Sequence, residues 1–175
     1  KRVQNIQSIP ASITALSSES LSKGNLTNLV DMSDSVPNVQ ISGQGGLPNI
    51  YMRGIGSGMN YAFEQSVAQF KDEIYLGRAI LARAPVFDIE RVEVLRGTQS
   101  IMFGKNATAG AINTTTKSAT SGTEGYLSLG VGSLNERKIE GAFNTDITDD
   151  WSARVAVLDK SVDGFMTNDF DGSNI

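Results

Sequence analysis

Residues 87–117 read FDIERVEVLRGTQSIMFGKNATAGAINTTTK, and the fold assignment turns on this stretch. Arg91–Leu95 is a short apolar run, of a length that suits one strand of a small sheet. Gly97, Gly104 and Gly110 punctuate the residues after it, at points where a backbone needs positive φ or close approach. A phosphate-binding loop is the tempting misreading, because Gly104-Lys105 is preceded by Gly97. That loop needs a closer pair of glycines and a Ser or Thr after the lysine; here six residues intervene and Asn106 comes next. Gly54-Ile-Gly56-Ser-Gly58 is an equally poor dinucleotide fingerprint, with no βαβ context. No nucleic-acid partner is implied.

Upstream, the first 118 residues are heterogeneous. Ser17 or Ser18 can cap a short helix with Glu19 in its first turn and Gly24 as its stop. Asn25 can cap a second helix carrying Leu26, Leu29 and Val30. Short apolar runs lie at 38–41, 50–52, 68–75 and 91–95, separated by glycine-rich loops. The expected fold class is α+β, a small mixed sheet with short helices.

Downstream the texture changes. Residues 1–118 hold 11 Lys+Arg and 9 Asp+Glu, whereas residues 119–175 hold 4 and 10. The change falls at Ser-Ala-Thr-Ser-Gly, residues 118–122, a linker-like run. Beyond it, Leu127, Leu129 and Val131 alternate with Ser128, Gly130 and Gly132. Ile139, Phe143, Thr145 and Ile147 alternate with Lys138, Glu140, Ala142, Asn144 and Asp146. Trp151, Ala153, Val155 and Val157 alternate with Ser152, Arg154, Ala156 and Lys160, and Leu158 breaks the polar face. Such segments suit the strands of a transmembrane β-barrel or a soluble meander with one buried face. Alternation alone leaves both open.

Four ordered blocks resemble the plug domain of TonB-dependent outer-membrane receptors. They are Pro10-Ala-Ser-Ile-Thr14, Val36-Pro37-Asn38-Val39, Ile50-Tyr-Met-Arg-Gly54 and the 87–117 run. The resemblance spans about residues 7–118. It implies a plug over residues 1–118 and, over 119–175, the first antiparallel strands of an incomplete barrel. It also implies the outer membrane of a Gram-negative bacterium, with the plug inside the barrel lumen. The expected function is active uptake of a scarce ligand, a ferric siderophore first, driven by the TonB complex through a segment not identifiable here. The alternative is a non-transporting binding or signalling module with a plug-like fold. Family barrels close with about 22 strands, so three strands leave two open edges. The isolated piece is expected to pair with another copy or to pack on its own plug, and its apolar face is expected to meet lipid in a full barrel. Turns are expected outside at Ser133–Glu136 and inside at Thr148–Asp150, with Trp151 in the periplasmic-side girdle.

The resemblance also nominates residues. Arg53 and Arg96 match family arginines that pair with barrel glutamates and lock the plug; the alternative is local pairing, for example with Glu93. Gly54 stands in the same block as Arg53. The apical loops that would face a ligand are 44–47, 56–63 and 76–83, with Gln44, Asn60, Tyr61, Arg78 and Arg83 as candidate contacts. The chain departs from the family at Gly97-Thr98-Gln99, where proline is usual. It departs again at Asp72-Glu73, where Asp-Gly is usual. A residue other than glycine at positive φ costs roughly 1–2 kcal/mol, so that hairpin is expected to use another turn type. Composition adds exclusions. The chain has no Cys and no His, which removes thiol, imidazole and most zinc chemistry. No cofactor, metal site or enzyme activity is implied, and the paired carboxylates Asp72-Glu73, Asp149-Asp150 and Asp169/Asp171 read as turn and surface residues. The chain also lacks the long apolar run of a membrane helix. Lys1 has no apolar signal segment behind it, so the chain reads as an internal piece.

Overall fold

The computed structural model describes residues 12–24, 26, 28–42, 48–58 and 64–164. The chain divides into two compact units, Lys1–Lys117 and Ser118–Ile175. In the first, β1 (Ser12–Ser17) runs directly into α1 (Ser18–Lys23). The Ser17 hydroxyl accepts the Ser20 N–H at 3.3 Å and so caps the helix, a bond of the kind that contributes about 1 kcal/mol. Gly24 ends it, donating back to the Ser20 carbonyl. Among the described residues 26 and 28–30, the second helix expected from Asn25 does not form. Asn25 lies outside the described residues, and the Asn28 side chain accepts the N–H groups of Val30 (2.7 Å) and Asp31 (3.1 Å). That local bonding competes with an α-helix, and a single 3-10 turn at Asp31–Asp34 forms instead.

Next come β2 (Val39–Ser42), β3 (Asn49–Met52) and β4 (Ile55–Gly56), a small antiparallel sheet in that order. The main sheet adds β5 (Val67–Lys71), β6 (Ile74–Leu76), β7 (Ile89–Arg96) and, after the one-turn α2 (Ser100–Phe103), β8 (Gly110–Thr116). Its order is β1-β7-β8-β5-β6. Only β5 and β8 run parallel; the other pairs are antiparallel. The sheet is therefore mixed, and it carries apolar residues on both faces. Val67, Ile112, Val92 and Val94 join Ile50, Met52, Met32, Leu21 and Leu29 on one side. Ala68, Ala111, Leu95 and Ala107 gather Ile13, Phe70 and Phe103 on the other. Each fully buried Val, Ile or Leu of this kind contributes about 1.5–3 kcal/mol.

The hairpin between β5 and β6 corrects the expectation about its turn. Asp72 and Glu73 both adopt positive φ, +48° and +69°, the pair of left-handed residues that a two-residue type I′ turn requires. Other bonds offset the strain. Asp72 accepts the Thr116 N–H (2.8 Å) and hydroxyl (3.0 Å), and its own N–H donates to the Thr114 carbonyl. The carboxylate thus does for this turn what glycine does elsewhere.

In the second unit β9 (Glu124–Val131), β10 (Arg137–Thr148) and β11 (Trp151–Ser161) form an antiparallel meander with β10 in the centre. The register aligns Leu129 with Ile139, and Phe143 with Val155. These residues share one face with Leu127, Val131, Val157 and Trp151. That face is open: Val131 is 91% exposed and Trp151 72%. The opposite face holds Lys138, Glu140, Asn144 and Arg154, and there Asn144 is fully buried. Polar groups are covered and apolar ones exposed, the reverse of a soluble meander and the pattern of a membrane strand. Leu134 and Asn135, both at positive φ, turn β9 into β10. A bulge between Asp146 and Thr148 sets Trp151 opposite Thr148 across the second turn.

Two substitutions test the packing of the main sheet. Gln69 is 1% exposed on the valine-rich face, and neither atom of its amide has a hydrogen-bond partner among the described residues. An unsatisfied buried group costs about 1–3 kcal/mol, so Gln69→Leu is expected to raise the urea midpoint of plug unfolding. A lowered midpoint would mean the amide is satisfied in solution. Gly110 is buried beneath the Met52 sulfur, and a Cβ there would also lie 2.5 Å from the Leu95 carbonyl oxygen. Gly110→Ala is expected to lose about 1–3 kcal/mol by overpacking, read in the same titration.

Candidate functional site

The two arginines singled out from the sequence are brought to one corner of the first unit. Arg96 ends β7 opposite Ser12 of β1. Its Nε donates to the Ser12 hydroxyl at 3.1 Å and its Nη1 to the Pro37 carbonyl at 2.9 Å. Arg53 sits in the turn between β3 and β4 with Gly54, both at positive φ (+53° and +80°). The Arg53 N–H donates to the carbonyl of Asn38 at 2.9 Å, and Asn38 is itself left-handed at +61°. The segment 36–38 therefore links the two arginines, one through a side chain and the other through the backbone. Arg53 Nη1 lies 3.4 Å from the place a Cβ on Gly97 would occupy. Gly97 succeeds Arg96 at φ +96°, so the turn brings the Arg53 guanidinium against the end of β7.

Among the described residues, neither guanidinium meets a carboxylate. Arg53 has no side-chain hydrogen bond or ion pair there, and Arg96 bonds only a hydroxyl and a carbonyl. Local pairing with Glu93 does not occur, for a reason of strand parity. Residues 91, 93 and 95 point to one side of β7, and 92, 94 and 96 to the other. Glu93 instead accepts from Arg91 Nε at 3.3 Å and from Asn113 Nδ2 at 2.8 Å. Burial works against the Arg91 charge, but the hydrogen bonds and charges of Glu93 and Glu90 outweigh it. They hold its pKa above the ordinary arginine value. That triad, with Ser12, Pro37 and Asn38 around the arginines, went unseen in the sequence. Nothing but the β1–β7 register marks Ser12 as a partner of Arg96.

The glycines fall into two groups. Gly54, Gly97 and Gly104 adopt positive φ, and Gly110 permits close approach. Of the candidate ligand contacts, Gln44, Asn60 and Tyr61 lie outside the described residues. Arg78 is exposed at the entrance to a 3-10 turn, Ala79–Arg83, which Ala79 and Ala82 anchor by burial. Arg83 is exposed at its end.

Comparison with known proteins places this geometry in a family. Residues 5–111 match the model of the TonB-dependent receptor plug domain. The ferric yersiniabactin uptake receptor of Yersinia pestis superposes with a TM-score of 0.84 at 28% identity, over 94% of this chain and 26% of that one. The siderophore receptor PiuA of Acinetobacter baumannii superposes at 0.75 with 27% identity, over 91% of this chain and 22% of its own. A vitamin B12 transporter of Vibrio vulnificus is 27% identical over 93% of this chain and 27% of its own length. The chain thus spans about a quarter of the length of these relatives. It belongs to the TonB-dependent receptors of the outer membrane, as the plug domain followed by the first strands of the barrel.

Proposed function

We propose that this chain is the gate of an active transporter that imports a scarce ligand across the outer membrane, a ferric siderophore in the first instance. The plug occludes the barrel, meets the ligand on its outer side and is rearranged by the TonB complex of the inner membrane. The chain acts as a transporter rather than as an enzyme. The observation that carries this reading is the likeness to the ferric yersiniabactin uptake receptor, which runs through both units and not the plug alone. Vitamin B12 is the second ligand class, favoured by the curated relative matched over 93% of this chain. The apical loops, with Arg78 and Arg83 exposed, would offer cationic contacts to an anionic chelate.

Arg53 and Arg96 act as the lock between plug and barrel. The support is their lack of carboxylate partners among the described residues, in a corner built to hold both. Enclosed by a barrel wall, an unpaired guanidinium would cost several kcal/mol. Acceptors on barrel strands beyond residue 164 would remove that cost. The lock is structural and holds the plug at rest.

Uptake of a labelled panel of ferric siderophores and cobalamin tests the function, in cells expressing a complete receptor that carries this chain. Accumulation is expected for one ligand class and is expected to vanish in cells lacking the energy complex. Uptake that persists without it would sink the TonB-driven reading. For the lock, Arg53→Gln and Arg96→Gln are each expected to lower the urea midpoint of plug release by about 1–3 kcal/mol equivalent, with ligand binding retained. An unchanged midpoint in both would make them solvated surface residues.

A further inference from the structure

Asn144 is a fully buried side chain on the polar face of β10, and neither the plug nor the ligand loops explain its role. Both ends of its amide bond the backbone of the preceding linker. Thr120 N–H donates to Asn144 Oδ1 at 3.0 Å, and Asn144 Nδ2 donates to the carbonyls of Thr120 (2.7 Å) and Gly122 (2.8 Å). Two residues along, Asp146 Oδ2 accepts the Gly122 N–H at 2.7 Å, while Oδ1 accepts the Ser152 hydroxyl. The hydroxyls of Thr123 and Thr145 then meet at 3.1 Å. A run that reads as a free tether in sequence is therefore fastened to a strand along its backbone. The side chains of Thr120 and Ser121 stay exposed, so the fastening depends on β10 and not on the composition of the linker.

We propose that Asn144, assisted by Asp146, is a positioning residue that keeps the plug-to-barrel linker fixed to β10 throughout the transport cycle. Rearrangement of the plug is then confined to residues before Ser118. This rests on the transport reading. A linker meant to pay out under load would leave its backbone to water. This one meets a buried amide that makes all three of its bonds to it, and releasing the linker would leave that amide without partners.

The test uses a receptor with a complete barrel. Hydrogen exchange should find the Thr120 and Gly122 amides protected, with Thr120 exchanging at least about tenfold faster in Asn144→Ala. Unprotected amides in the unsubstituted receptor would overturn the clamp. Next, Thr123→Cys and Thr145→Cys together allow a disulfide that locks linker to strand. Energised uptake is expected to be equal in the oxidised and reduced forms. Uptake that stops on oxidation and returns with reductant would overturn the proposal, because the linker would then have to let go. If the reduced receptor imports nothing, the transport reading fails instead, and hydrogen exchange still decides the clamp.

Discussion

The first unit depends on the pairing of β8 with two strands at once. β8 meets β7 antiparallel and β5 parallel, and so joins the β1–β7 pair to the β5–β6 hairpin. Without it the sheet falls into two hairpin-like pieces, each too small to be stable alone. Apart from Ile112 and Asn113 its residues are small, Gly110, Ala111 and the threonines, because its neighbours already fill much of the space. The Met52 sulfur covers Gly110 on one side. On the other face Ala111 joins Ala68, Leu95 and Ala107. A strand of large aliphatics could not fit between them at native packing density.

That close fit explains which parts of the fold could be seen in the sequence. The 50–52 and 91–95 runs appear as strands because their own side chains make the core. Leu127 to Val157 announce a two-faced sheet because alternation is a local property of each strand. The mixed α+β plug was visible by the same means, and the family through the resemblance of its ordered blocks. β8 is different. GAINTTT resembles a turn followed by a polar run, yet its first five residues are buried. Its strand character comes from β5 and β7, so no window around it could reveal it. The second helix, absent among the described residues, has a similar cause, since the Asn28 side chain bonds the backbone just after it.

The site was half legible for a related reason. Residue type and family block pick out Arg53 and Arg96, but partnership is set by register and parity. Glu93 is near Arg96 in sequence and points away from it across the strand. Ser12 is distant in sequence and lies directly opposite. The linker shows the same contrast, since Ser118–Gly122 has the composition of a free tether. Its conformation is held by Asn144 and Asp146, which lie more than twenty residues later.

The turn at Arg53 shows what the chain gives up for charge. A left-handed conformation costs an L-residue roughly 1–2 kcal/mol, and the cost is avoided when glycine occupies the position, as at Gly54. An arginine in its place is unfavourable for the isolated backbone, and the Asn38 carbonyl that receives its N–H is carried by another left-handed residue. The fold therefore accepts strain at two adjoining points to bring a second guanidinium against Gly97. The backbone bond to Asn38 holds the turn, but the Arg53 side chain adds no bond of its own among the described residues. That uncompensated side chain is the physical argument behind the lock proposed above, in which an acceptor on the barrel would give the Arg53 guanidinium a partner, while Arg96 already bonds Ser12 and Pro37 within the plug.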